Sequence, residues 1–389
     1  MRIAYCTNVR LPSERAHGHQ VAQVCDALIH LGHEVTIFAP YRKNVVKQDY
    51  WKYYGADKKV KLIHVGHFDA IASWLTPGFI GLLTMNVMLR RKLRRMLSEK
   101  KFDLLYTRSP ALLRPMLKTN VPVILELHQL PRRGKRRFVK LCNRCKRVAC
   151  LTSAMRDTLI AWGVDRKVVI AEGDAVDLAR FKNLPSRTAA QKKFTLTTDR
   201  IVVGYVGRLK TLGMDKGVAV LLQALKELQL QKKFFGFIVG GPASDEKEYA
   251  KMAAKLGLDS KDVIFTGEIP AADVPVSLAA CDVLAMPFPD KPHYRHHMSP
   301  LKMFEYMAAG RPLLTSDLPT VRDVLDESTA VFCKAGDVKS LVKALEWIAD
   351  HPKEAAERAK RAKELVKKHS WEERMERILP PSPRGRRLG

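Results

Sequence analysis

The chain has 389 residues, 46% hydrophobic and 28% charged, a balance that excludes a disordered polymer and suits two or three folded domains. Its 68 Lys and Arg outnumber its 40 Asp and Glu, giving a formal charge of +28 at pH 7. That excess favours an anionic partner: nucleic acid, an acidic membrane face or a phosphorylated small molecule.

The chain enters a strand at once, Ile3-Ala4-Tyr5-Cys6, with no basic-then-apolar leader, so a cytoplasmic location is expected. No apolar run reaches about 18 residues, so no membrane span is expected. The seven cysteines (Cys6, Cys25, Cys142, Cys145, Cys150, Cys281 and Cys333) are odd in number and scattered. They read as free thiols of a reducing compartment, and Cys142-x-x-Cys145 lacks the second pair of a metal site.

Residues 2–7 read as a buried strand. A loop to Gly18 follows, then a helix with Val21, Val24, Cys25, Leu28 and Ile29 on one face. Gly32 closes the helix, and Val35–Ala39 is the next strand. This strand–loop–helix–strand unit starts a parallel doubly wound sheet. Ligands bind beyond the carboxyl ends of such strands, so Arg15–Gly18 is either a ligand loop or a plain connector. Further strands are expected at Val60–Val65, Leu104–Thr107, Val121–Leu127, Val148–Thr152 and Val168–Ala171. Asn183–Thr198 is polar and aperiodic and reads as a linker.

A second alternation follows: strand Ile201–Val206, helix Val218–Leu230, strand Phe234–Val239, helix Glu246–Leu256, then strands Val263–Phe265 and Val283–Ala285. Ser299–Pro312 reads as a helix capped by Ser299, with Pro300 at its first position and Gly310 as its stop. Such an N-terminus can hold a phosphate. Strands Leu313–Thr315 and Ala330–Phe332, a helix Leu341–Ile348, a charged helical run to Lys368 and a last helix from Trp371 complete the chain. Pro380–Gly389 reads as a frayed basic tail. The fold class is α/β, with two Rossmann-like halves: 1–182, and 183–369 followed by the helix at 370–389.

Two basic segments carry much of the charge. Arg90–Lys101 holds seven Lys/Arg and one Glu, and Pro131–Arg147 holds nine and no acid. The first directly follows the apolar stretch Trp74–Leu89. Trp74 and Phe79 with Arg90, Arg91, Lys92, Arg94 and Arg95 form the expected interface with an anionic membrane, peripheral and on the inner face. The alternative is a core helix with a solvated basic face. Nucleic-acid binding is not expected, because no helix-turn-helix, zinc-finger or RNP pattern is present.

Several positions could carry chemistry. Gly207-Arg208-Leu209 ends one strand, and Lys216-Gly217 opens the helix after it; Arg and Lys there make an anion site. Gly240-Gly241-Pro242 and Thr266-Gly267-Glu268-Ile269-Pro270 end two more strands in tight turns. Glu126-Leu127-His128 places a histidine where it could donate to a sugar hydroxyl or a developing charge. His293, His296 and His297 form a polar loop with no closed metal-ligand spacing. No Asp-x-Asp, Walker loop or Gly-x-Ser-x-Gly occurs in the sequence.

Taken in order, these pieces resemble the retaining family 4 glycosyltransferases of the GT-B fold, over nearly the whole chain. The resemblance rests on the loop to Gly18 with Gly32-His33-Glu34-Val35, on Glu126-Leu127-His128 and on Val176–Phe181. In the second half it rests on Gly207-Arg208-Leu209 with Lys216-Gly217, the two glycine turns, and Ser299-Pro300-Leu301-Lys302 with Glu305–Gly310 and Pro312. It implies two domains facing across a cleft, with the last helix crossing back onto the first. It implies transfer of a sugar from a nucleotide-diphosphate sugar, UDP-linked before GDP-linked, without a metal or other cofactor.

Carried over by motif, Arg208 and Lys216 hold the diphosphate, helped by the amides at Leu301 and Lys302. Glu305 binds the ribose, the backbone near Ile269 meets the base, and His128 contacts the donor sugar. Gly18, Gly207, Gly241 and Gly267 let the backbone approach the donor. One position departs from the family pattern. His297 stands where a sugar-reading glutamate is common, so the backbone of Met298, Ser299 and Pro300 is expected to serve instead. The acceptor is unspecified, with a lipid-linked or envelope polysaccharide favoured by the membrane signal. The alternative reading is a non-catalytic basic two-domain protein that binds nucleotide or nucleic acid.

Overall fold

The computed structural model describes residues 1–13, 16–44, 46–66, 79–196 and 198–381. The chain forms two compact units, one of Met1–Gly173 with the segment from Trp371, the other of Asp174–Ser370.

The first unit holds seven strands: β1 (Arg2–Cys6), β2 (Glu34–Pro40), β3 (Lys61–Val65), β4 (Leu104–Thr107), β5 (Val123–Leu127), β6 (Arg147–Cys150) and β7 (Val169–Ala171). All pair in parallel, in the order β3-β2-β1-β4-β5-β6-β7. β4 and β5 are buried at every residue, which is why they read as unbroken apolar runs rather than alternating ones. The helix Phe79–Glu99 turns Leu89, Leu93 and Leu97 into the core beside Leu105, Leu125 and Val148. The strand order reverses between β1 and β4, which sets a topological switch point at their carboxyl ends.

The second unit holds β8 (Ile201–Val206), a small hairpin of β9 (Lys210–Thr211) and β10 (Met214–Asp215), then β11 (Phe234–Val239), β12 (Val263–Phe265), β13 (Val283–Met286), β14 (Leu313–Ser316) and β15 (Val331–Cys333). The large sheet is parallel, in the order β12-β11-β8-β13-β14-β15. Its switch point lies between β8 and β13, beside Gly207-Arg208.

Three sequence expectations are corrected. The predicted linker holds a helix, Arg187–Lys193, capped by the Ser186 hydroxyl, which accepts from the Ala189 amide at 3.3 Å. Only Ala190 and Gln191 of this helix are buried, too few to print a period, and Gln191 Nε2 donates to the Ala280 carbonyl at 3.1 Å. The polar histidine loop also contains a helix, Pro292–His296, whose Tyr294 is buried and stacks on Phe288. Finally, the short loop expected just before Lys216-Gly217 is the hairpin of β9 and β10, turned through Leu212 and Gly213, both at positive φ.

Candidate functional site

In the second unit the site is built around the helix Leu301–Ala309. Pro300, not Ser299, occupies its cap position, and no side chain caps its first turn. Ser299 Oγ instead accepts from the Asp174 amide at 2.7 Å. No side chain therefore satisfies the Leu301 and Lys302 amides, while the Met303 amide donates to the Pro300 carbonyl at 2.9 Å. Gly310 ends the helix at φ 68°, as expected. Tyr306 fixes the helix to the end of β8: its hydroxyl accepts from the Val206 amide at 2.6 Å and donates to the Val206 carbonyl at 3.0 Å.

Three cations converge near this open end. Arg208 is exposed one residue past Gly207. Burial and the Arg208 charge push the Lys216 ammonium down to about 8. Lys302 is 6% exposed, and its Nζ has no hydrogen-bond partner among the described residues. That Nζ sits 3.5 Å from the centre of the Tyr205 ring, and a Cβ added at Gly207 would lie 3.6 Å from it. Burial, then Lys216, holds the Lys302 ammonium well below the ordinary lysine range. Sequence reasoning counted only the Lys302 amide. Its burial signal was the apolar company of Leu301, Met303 and Phe304.

The helix that Lys216-Gly217 opens, Val218–Leu228, does not offer a second anion site. Asp215 already occupies its N-terminus, accepting from the Gly217 amide at 2.7 Å and the Ala219 amide at 3.4 Å. Gly217 has φ 97°, and a Cβ there would sit 1.9 Å from the Pro287 carbonyl oxygen, so only glycine lets β13 pass this close.

Glu305 lies further along the same helix. Arg180 Nη1 approaches its carboxylate at 3.5 Å, and Arg180 Nη2 donates to the Ala271 carbonyl, two residues past Ile269. Burial raises the Glu305 carboxyl, with Arg180 and Lys302 pulling the other way. Arg180 was part of a motif in the sequence but had no role assigned; the structure ties it to Glu305. Gly241 and Gly267 take positive φ at the ends of β11 and β12. Met298 is buried, and the His297 Nδ1 has no partner among the described residues. Burial, then His296, lowers the His297 ring below its usual value. No group of three His, Cys, Asp or Glu among the described residues is placed to hold a metal.

In the first unit His128 stands just past β5. Its Nε2 lies 2.6 Å from Glu126 Oε1. Glu126 is fully buried and also accepts from the Tyr106 hydroxyl, from Gln20 Nε2 and from Arg374 Nη2 at 3.0 Å. Burial alone would raise this carboxyl, but Arg374, His128 and Arg108 hold it well below the usual carboxylate range. His17, on the helix Ala16–His30, is pushed down to about 3 by burial and Arg108. Gly18 lies in that helix rather than in a loop. A Cβ there would meet the Tyr54 hydroxyl at 2.1 Å, so close packing already accounts for the glycine.

Of the expected membrane residues, Trp74 and the Phe79 side chain lie outside the described residues. Arg91, Lys92, Arg94 and Arg95 are exposed, and Arg90 donates from Nε to the Ala111 carbonyl at 2.8 Å. Arg90, Arg91 and Arg94 share a surface groove with Arg114, Lys118 and Arg144. No described helix is long and apolar enough to cross a membrane. All seven cysteines are buried free thiols.

Comparison with known proteins adds to this geometry. Residues 18–178 match the family model described as Glycosyltransferase Family 4, and residues 200–351 the one described as Glycosyl transferases group 1. A 2-deoxystreptamine glucosyltransferase of Streptomyces kanamyceticus is 28% identical over 49% of this chain, and the match spans 47% of that relative, about half its length. A phosphatidyl-myo-inositol mannosyltransferase of Mycolicibacterium smegmatis is 25% identical over 90% of this chain and 85% of its own. A glycosyltransferase crystal structure from Rickettsia africae has a TM-score of 0.76 at 15% identity, covering 98% of this chain and 99% of that one. The Anabaena protein Alr3699/HepE in complex with UDP and glucose has a TM-score of 0.69 at 18% identity, covering 97% and 98%. The architecture is the GT-B fold.

Proposed function

The chain belongs to the family 4 glycosyltransferases, and from that premise we propose that it is a retaining enzyme using a nucleotide-diphosphate sugar, UDP-linked before GDP-linked. The observation that carries this reading is the convergence of Arg208, Lys216 and the unpartnered Lys302 on the uncapped end of the Leu301–Ala309 helix. Cations and free amides gathered there suit a diphosphate, and Glu305 with Arg180 suits the ribose. The UDP held by the structurally similar Alr3699/HepE supports the choice of base.

The chemistry follows from where charge develops. As the bond from the sugar C1 to the β-phosphate oxygen breaks, the leaving diphosphate gains charge. Arg208, Lys216 and the helix end stabilise that charge more than they stabilise the ground state. The acceptor hydroxyl attacks C1 on the same face, and its proton passes to the departing phosphate oxygen. In this scheme the protein's own cations meet the diphosphate without a metal. His128 contacts the donor sugar, and the uncharged His297 leaves sugar reading there to the backbone of Met298–Pro300.

The acceptor is lipid-linked or an envelope polysaccharide, and the enzyme works at an anionic membrane surface facing the cytoplasm. The exposed basic face of Arg91, Lys92, Arg94 and Arg95, continued by Arg114, Lys118 and Arg144, supports this, as does the phosphatidyl-inositol substrate class in the name of one relative. Flotation with vesicles containing phosphatidylglycerol, and loss of flotation in neutral vesicles, is the expected result; equal behaviour in both refutes the membrane assignment.

Millimolar UDP should raise the melting temperature, because a ligand bound only to the native state stabilises it. No effect of UDP or GDP, together with DNA binding of steep salt dependence, would favour a non-catalytic nucleic-acid binder instead.

A further inference from the structure

Six cations from three helical segments of the first unit line one groove. Arg90, Arg91 and Arg94 stand on the helix Phe79–Glu99, Arg114 and Lys118 on and just after the helix Leu113–Met116, and Arg144 just after the helix Lys135–Cys142. Lys118 and Arg144 lie in the turns that enter β5 and β6, at the amino ends of those strands. His128 stands past the carboxyl end of β5, so the groove is separate from that cluster.

Two of the arginines are fixed without being neutralised. Arg90 Nε donates to the Ala111 carbonyl at 2.8 Å, and Arg144 Nη2 to the Leu117 carbonyl at 3.0 Å. A carbonyl orients a guanidinium but brings no counter-charge, and the other N–H groups of the fork remain to be used. Acids are absent from segments 113–118 and 135–144. Glu99, the one acid of the helix Phe79–Glu99, pairs with Arg95 at 2.8 Å, outside the groove. Like charges held together in this way repel one another, and a bound anion relieves the repulsion. Five of the six are arginines, whose planar fork matches pairs of phosphate oxygens. A phosphodiester brings a single charge, whereas a phosphomonoester or diphosphate brings several to one point.

We propose that this groove is a site for a multiply charged phosphate, a phosphomonoester or diphosphate, built from residues separate from those assigned to the donor. It goes beyond the membrane reading, which needs only an exposed basic face. The groove adds a concave space of about 430 Å³, the size of a small-molecule site, and guanidinium groups already oriented. The phosphate can arrive on a lipid headgroup or on a soluble molecule, and the chemistry of recognition is the same.

The test uses a triple variant, Arg94→Gln with Arg114→Gln and Lys118→Gln. These three side chains are exposed and donate to no described residue, so the variant should fold and melt no lower than the wild type. Isothermal titration calorimetry with inorganic pyrophosphate, free of divalent metal, is expected to show two sites in the wild type. The triple variant should keep one, with the groove site weakened at least about tenfold. The double variant Arg208→Ala with Lys216→Ala should also keep one, the groove site. Once the groove site is seen, flotation on vesicles matched in surface charge, with phosphatidic acid or with phosphatidylglycerol, separates the sources. A preference for phosphatidic acid that the triple variant loses assigns the groove to a lipid headgroup. Equal flotation on both assigns it to a soluble phosphorylated molecule.

An unchanged pyrophosphate isotherm in the folded triple variant overturns the proposal, as does a wild type that binds pyrophosphate only through Arg208 and Lys216. If the triple variant does not fold, Arg114→Gln alone carries the same decision. Two sites retained in the Arg208→Ala and Lys216→Ala double variant would count against the donor reading alone, and no flotation on either vesicle against the membrane reading alone.

Discussion

Replacing Lys302 with methionine should make the free protein more stable and the nucleotide complex weaker. Lys302 is 6% exposed, and no described group hydrogen-bonds its Nζ. Burying an ammonium without such a partner costs several kcal/mol, of which the Tyr205 ring, 3.5 Å away, returns about 2 kcal/mol as a cation–π contact. Methionine keeps the apolar stem and removes the charge, so the net gain should be about 1–2 kcal/mol. In a unit spanning Asp174–Ser370 that is a rise in melting temperature of about 3–6 °C. The gain should shrink as pH rises toward the unfolded lysine value, because the folded ammonium titrates below that value and its penalty is relieved on the way up. UDP affinity should fall at least about tenfold, since one charge-assisted contact to the diphosphate is lost. Differential scanning calorimetry and isothermal titration calorimetry read the two effects. A lower melting temperature with unchanged UDP affinity would refute the reasoning and make Lys302 a packing residue.

Lys216 gives a pH signature. Its ammonium is pushed down to about 8 in the free protein, and a bound diphosphate should raise it again. UDP binding should therefore take up a proton and weaken by up to about tenfold per pH unit above pH 8; a flat profile from pH 7 to 9.5 would contradict this. Glu305→Ala should weaken UDP binding in calorimetry, and an unaltered titration would make Glu305 structural. Gly217→Ala should cost about 3 kcal/mol of stability by chemical denaturation, because its Cβ would lie 1.9 Å from the Pro287 carbonyl oxygen at φ 97°. A loss under about 0.5 kcal/mol would show that the strand and turn relax apart.

How much of this was legible in the sequence depended on how local the cause was. β1, β4, β8 and β11 fall where unbroken apolar runs put them, because a parallel strand buried on both faces has no alternation to confuse. Gly310 stops its helix as read, since a left-handed cap is a property of one residue. Ser299 failed as a cap because a distant amide, that of Asp174, claims its hydroxyl. Arg187–Lys193 was missed because a helix of two turns buries too few residues to show a period. Gly18 reads as a ligand-loop glycine in sequence, yet the Tyr54 hydroxyl stands where its side chain would be. The Lys302 side chain, the Arg180–Glu305 pair and the Arg374–Glu126 pair are tertiary facts. No short motif reveals that a cation is buried, or against what.

The account stands most directly on release of nucleotide diphosphate from a panel of UDP- and GDP-sugars by the wild type, Arg208→Ala and Lys216→Ala. It predicts release from at least one UDP-sugar and a loss of at least about tenfold, 1.4 kcal/mol, in each variant. Equal turnover in the wild type and both variants, or no release from any sugar in the panel, would contradict it.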